Sequence, residues 1–264
     1  MLRAPFDQWL AEQAENAGAE YICGIAVEKL IKDENGKVIG IFAGEDEITA
    51  DVVVLCDGAN SLLVEQAVGA KRPPASQMAV GVKEVFELPE EEIDKRFQCA
   101  PGEGTAWLFA GDATHGSFGG GIIYTNKDSI SVGIVAGVEA TAKGNVPVYQ
   151  MLEDFKNRPE IAPVLKGAKL VEHSGHLVPE GGITTMPELT ADGVMVAGDN
   201  APCASTSATP CAAWTTPWLL VRWLVRLLSS ARRGRHFQGW PEVLRRRSRG
   251  FLRHEGHASV QERS

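Results

Sequence analysis

Two aspartate–glycine turns, each at the end of an apolar run, are the residues of this chain best placed to do chemistry. Val194-Met195-Val196-Ala197 runs into Gly198-Asp199, and Val52-Val53-Val54-Leu55-Cys56 breaks into Asp57-Gly58-Ala59-Asn60-Ser61. A glycine lets the backbone come close to a ligand, and an aspartate accepts a hydrogen bond from a hydroxyl. Taken singly, each turn also reads as strand, glycine turn and helix-capping aspartate. Taken together they suit one ligand, because ligands of open α/β sheets lie outside the carboxyl ends of the strands.

The pair has a wider context. Asp57-Gly58-Ala59-Asn60-Ser61 followed by Asp192-Gly193-Val194 and Ala197-Gly198-Asp199 resembles the FAD-binding pattern of the glutathione-reductase-like flavoproteins that include geranylgeranyl reductases. Leu2-Arg3, Phe6–Leu10, Gly119–Asn126, Met151–Lys156 and Pro179–Ile183 narrow the resemblance to FixC-type flavoproteins, relatives of the electron-transfer flavoprotein:quinone oxidoreductases. It runs almost continuously from Leu2 to Ala201. The resemblance implies FAD as cofactor, with Asp199 on the ribitol, Gly198 at close approach, and Asp57-Gly58 as a second fingerprint. Arg3 matches an arginine that lies against the FAD, where a guanidinium suits a phosphate or polar flavin edge. Its other reading is a solvated charge at a helix start.

The implied activity is electron transfer from an electron-transfer flavoprotein towards quinone or a ferredoxin-like partner. A geranylgeranyl-reductase-like enzyme acting on a lipid alkene is the alternative, and a non-catalytic remnant the contrasting class. No catalytic side chain and no metal are assigned, since the isoalloxazine carries such chemistry. His115, His173 and His176 show no metal-ligand spacing. Five cysteines without a C-x-x-C pair read as reduced thiols of a cytoplasmic protein, with peripheral contact at the inner face of a membrane left open. Cys56 reads as a packing residue at a strand end. Gly119-Gly120-Gly121 reads either as a strand passing close to a flavin or quinone, or as a β-bulge.

The elements that must position these residues make an α+β chain with α/β character. Pro5–Ala17 reads as an acidic amphipathic helix, not a signal peptide. Tyr21–Val27, Val38–Ala43 and Glu47–Ala50 read as strands, with Asp33-Glu34-Asn35-Gly36 turning the first two. Gln77–Phe86 reads as a long strand, Glu90–Phe97 as an acidic helix, and Gly104–Phe109, Gly119–Asn126 and Ser129–Gly137 as an antiparallel meander. Val148–Asn157 follows as an amphipathic helix and Lys169–His176 as a returning strand. The expected organisation is a partial glutathione-reductase-like FAD-binding domain over 1–75, an inserted antiparallel substrate or quinone domain over 76–185, and a return strand over 186–201.

Both ends depart from the resembled pattern. No G-x-G-x-x-G follows a strand and opens a helix, so the unit that normally cradles the FAD pyrophosphate is missing. The chain therefore reads as a fragment, expected to purify without bound FAD. Residues 202–264 read as an aberrant tail: from 201 onward there are 11 Arg, no Lys and 3 acidic residues, against 15 basic and 31 acidic residues before it. Arginine without lysine points to translation out of frame after Ala201. Back-translated Ala201–Thr216, read in another frame, can give P-M-C-I-N-L-G-Y, a phrase of the resembled family. The other readings are a cationic Trp/Leu surface helix over Trp218–Leu228, too short to span a bilayer, and a nucleic-acid tail at Arg245–Arg247. The last lacks any aromatic stacking pattern, so no nucleic acid is expected as a partner.

Overall fold

The structure is a computed structural model that describes residues 2–60, 62–144, 146–180 and 186–200. The first half of the chain runs α1 (Arg3–Asn16), β1 (Val27–Lys32), β2 (Val38–Ala43), β3 (Asp46–Thr49), β4 (Val53–Leu55), α2 (Leu63–Val68), β5 (Met78–Glu87) and α3 (Glu90–Phe97). Then come β6 (Ala106–Phe109), β7 (Gly119–Thr125), β8 (Ser129–Gly137), α4 (Val138–Gly144), α5 (Val148–Lys156), α6 (Ala162–Leu165), β9 (Lys169–Pro179), β10 (Thr190–Ala191) and β11 (Val194–Val196). Helices are short and the sheets mainly antiparallel, a mixed α/β chain. The chain divides into two compact units, Met1–Gly24 with Ala75–Val178, and Ile25–Pro74 with the segment from Pro179 onward. The expectations for the tail beyond Asn200 lie outside the described residues.

One strand sits later than its expected place. The run Tyr21–Ala26 is not strand; pairing begins at Val27 and continues to Lys32. The turn decides this. Asp33 Oδ1 accepts from Asn35 N and Lys37 N, both at 2.9 Å, so the strand entering the turn must be the one just before it. Lys32 then faces Val38 and Leu30 faces Ile41. Gly24, at φ +78, interrupts the upstream run.

The unit built on Ile25–Pro74 holds two three-stranded sheets, β1-β2-β3 and β10-β11-β4. Its core is Leu30, Val38, Leu55, Leu63, Val64, Leu189 and the run Val194–Ala197. Burying each large aliphatic side chain contributes about 1.5–3 kcal/mol, which is why so short a strand as β11 stays fixed.

The other unit is a five-stranded sheet in the order β6-β7-β8-β5-β9. One face packs on α3 and α5 through Ile130, Val132, Ile134, Ile93, Phe97, Met151, Leu152 and Phe155. The three glycines that open β7 serve this packing. A Cβ on Gly119, whose φ is +140, would stand 1.9 Å from Val135 O; one on Gly120, 2.4 Å from Phe109 O; one on Gly121, 2.7 Å from the Phe155 ring. The pairing of Gly119–Thr125 with Ala136–Ile130 is unbroken, so the bulge expected as one alternative is absent. The glycines admit neighbouring strands and an aromatic ring.

Candidate functional site

β4 and β11 are parallel neighbours, with Val53 facing Val194, Met195 facing Val54 and Val196 facing Leu55. Val53 N donates to Gly193 O at one end, and Ala197 N donates to Leu55 O at the other, each at 2.9 Å. The segments Cys56–Asn60 and Gly198–Asn200 therefore leave the sheet side by side from the same carboxyl edge. Four residues singled out in the sequence, Asp57, Gly58, Gly198 and Asp199, come together there.

Their local geometry suits close approach of a ligand. Gly58 has φ +79 and Gly198 φ +70, and among the described residues no atom beyond the chain neighbours lies within 4 Å of where a Cβ would stand on either. Asp57 and Asp199 are exposed, while Leu55 and Ala197 immediately behind them are buried. Rigid strand ends thus carry acceptors that face water. Cys56 departs from expectation: it is exposed rather than packed. Desolvation by the atoms around its sulfur, then the charge of Asp57, push its thiol above the usual range.

Sequence reasoning missed the residues that brace these loops. Gln66 of α2 accepts from Leu30 N at 3.1 Å and donates to Glu28 O at 3.0 Å, tying the helix to β1. Arg72 Nη2 donates to Asn60 O at 3.3 Å and to Asn60 Oδ1 at 3.2 Å. A polar Gln inside the apolar run Leu62–Val68 was a visible signal for the first. For Arg72 the sequence offered only its place before Pro73-Pro74.

Arg3 belongs to the other unit. It lies in the first turn of α1, a helix without buried residues, where its Nε and Nη2 donate to Asp7 Oδ1 and Oδ2, each at 2.9 Å. In the same unit His115 Nε2 meets Asp154 Oδ2 at 2.9 Å. Glu84 is buried; its carboxylate meets Lys156 Nζ at 2.6 Å and His173 Nδ1 at 3.1 Å. These pairs join residues far apart in the chain, which is why no local spacing revealed them. Among the described residues no group of three or more His, Cys, Asp or Glu could hold a metal ion.

The model of the family "ETF-QO, ubiquinone-binding" matches residues 78–178, the span from β5 to the end of β9. Protein FixC of Escherichia coli K12 is 50% identical over 201 residues, 76% of this chain and 47% of the relative. The probable electron transfer flavoprotein-quinone oxidoreductase YdiS of the same strain is 49% identical over the same length. Over these 201 residues the chain is similar to FixC and to a probable electron transfer flavoprotein-quinone oxidoreductase. It spans about half the length of the curated relatives it matches (47%). Solved structures show the fold. A geranylgeranyl bacteriochlorophyll reductase-like protein of Thermoplasma acidophilum aligns with a TM-score of 0.57 and 20% identity over 75% of this chain and 47% of that one. A triple mutant of the flavin-dependent brominase Bmp2 aligns with a TM-score of 0.63 and 17% identity, over 92% of this chain and 60% of that one. The chain shares its fold with these two proteins.

Proposed function

We propose that this chain uses the β4 and β11 loops to hold FAD in a glutathione-reductase-like arrangement. Its activity is electron transfer from an electron-transfer flavoprotein towards quinone or a ferredoxin-like partner. The observation that supports this most is the parallel register of β4 and β11, which puts two glycine–aspartate turns at one carboxyl edge. The fit to the cofactor rests on Gly58 and Gly198, whose open Cβ positions leave room for a flat or polyhydroxylated ligand against the backbone.

The roles follow from chemistry. The Asp199 carboxylate accepts a hydrogen bond from a ribitol hydroxyl, Gly198 lets the backbone approach, and Asp57-Gly58 bounds the site from β4. FAD, when bound, supplies the two-electron chemistry; the protein binds and orients it and sets its surroundings. The quinone side falls to the sheet of residues 78–178, the span that matches the family model described as ubiquinone-binding. Quinones partition into lipid, so the working place is the cytoplasm and the inner membrane face. No helix among the described residues is long and apolar enough to cross a membrane.

The test is titration with FAD, followed by quenching of flavin fluorescence, on the wild-type chain and on Asp199→Ala. Losing a hydrogen bond to a charged acceptor weakens binding about tenfold or more. Equal affinity in the two proteins would remove Asp199 from the site. Electron transfer is then followed with FAD kept in millimolar excess, as quinol formed from reduced electron-transfer flavoprotein and a short-chain ubiquinone.

A further inference from the structure

The segment from Asn60 to Arg72 leaves the sheet edge, forms α2 and returns. α2 ends at Gly69, whose φ of +70 caps the helix in the left-handed region while its N–H reaches Glu65 O at 2.9 Å. Three residues later Arg72 comes back to the start of the excursion. Its Nη2 bridges the backbone carbonyl and the side-chain oxygen of Asn60. Pro73 and Pro74 follow at once, fixing φ after Arg72 and restricting the backbone of Arg72 itself. The guanidinium therefore hangs from a stiff piece of chain.

We infer that Arg72 is a positioning residue for the Asp57–Asn60 loop. The loop is rooted at one end in β4, where Leu55 O accepts from Ala197 N. At its other end, Arg72 supplies a second root by closing the twelve-residue excursion onto Asn60. Leu63 and Val64 bury α2 in the core, and Gln66 ties it to β1, so the excursion itself is fixed and its closure fixes the loop. Arg72 acts through Asn60. It orders Asp57 and Gly58 for a ligand without touching that ligand. This inference rests on the proposed flavin site for its functional consequence, whereas the ordering of the loop stands without it.

Both hydrogen bonds leave a single nitrogen, which separates this role from one that needs the whole guanidinium fork. A lysine ammonium has three donors on one nitrogen and can serve the same two acceptors. The experiment is amide hydrogen exchange on the full chain for wild type, Arg72→Ala, Arg72→Lys and Asn60→Ala, each with and without millimolar FAD. In Arg72→Ala, amides of residues 57–60 exchange about fivefold faster or more, while residues 53–55 and 194–197 keep wild-type protection. Arg72→Lys stays near wild type, and Asn60→Ala falls between. With FAD, Arg72→Ala needs several-fold more ligand to reach the same protection of the loop. Unchanged exchange over 57–60 in Arg72→Ala overturns the inference, as does loss of protection spread through β4 and β11, which would make Arg72 a general stability residue. FAD that protects none of these residues in wild type removes the flavin reading, and the ligand-free exchange rates still decide the role of Arg72.

Discussion

Gly119 and Gly198 both take positive φ, for opposite physical reasons. Gly198 has no atom of the described residues within 4 Å of its Cβ position, so there a side chain meets backbone strain alone; Gly119 has a carbonyl of the neighbouring strand where its Cβ would be. Gly119→Ala therefore destabilises the protein by about 3 kcal/mol or more, from strain and a displaced strand together. Gly18→Ala, equally positive in φ but with open space around it, costs about 1 kcal/mol. Urea unfolding of the two variants checks this, and a Gly119→Ala midpoint equal to wild type would contradict the β7–β8 register. Lys156 carries a second prediction. Burial pulls its pKa down, but the hydrogen bonds it donates to Glu153 and Glu84, with their negative charge, outweigh that and leave it above the ordinary value of 10.5. A raised lysine contributes stability in full below its unfolded pKa and loses it as pH climbs through the folded value. The melting temperature should thus fall above pH 10.5, and less steeply in Glu84→Gln, where one of the stabilising carboxylates is gone. An identical alkaline limb in both proteins would remove Glu84 from the interaction.

Edge strand β9 is held to β5 by charge as well as by its ladder. Lys83 pairs with Glu172 at 3.2 Å, and the next residues, Glu84 and His173, pair at 3.1 Å. Successive strand residues point to opposite faces, so the two pairs lie on opposite sides of the sheet. A slip of one residue would set Glu172 on the face of Glu84 and His173 on that of Lys83, which disfavours the wrong register. Glu172→Lys should destabilise the protein, and adding Lys83→Glu should restore about 0.5–1 kcal/mol, as expected for partly exposed pairs. A double-mutant cycle in urea reads the coupling directly, and zero coupling would leave register to the apolar residues alone. The strands and helices with strong periodicity were legible in the sequence. β2, α3 and β8 begin and end where Val38–Ala43, Glu90–Phe97 and Ser129–Gly137 suggest. β1 was not, because Tyr21–Val27 looks like a strand on its own and only the Asp33–Gly36 turn says which residues must pair. Asp57 and Asp199 were legible as strand-end turns. Arg72 and Glu84 were not, since their partners lie twelve and seventy or more residues away and only the fold brings them together.

At the scale of the whole molecule, family and structure meet in residues 78–178, where the ubiquinone-binding family model coincides with one sheet and its helices. The relatives extend over roughly twice the matched length, and the excess of arginine beyond Ala201 has no counterpart in the acidic residues before it. If the tail is read out of frame, one base inserted or deleted near the codons for Asn200–Pro202 restores a phrase like P-M-C-I-N-L-G-Y. Nucleotides that encode no such phrase in either other frame would make the tail a native cationic segment. The proposed flavin site lies at the carboxyl edge of β4 and β11. Amide hydrogen exchange of the wild-type chain with millimolar FAD tests it most directly, because it reads weak binding residue by residue. FAD should slow exchange at residues 57–60 and 197–200 together, with little change in the helices of the other unit. Exchange at those two loops that does not respond to FAD, or protection confined to the sheet of residues 78–178, would contradict it.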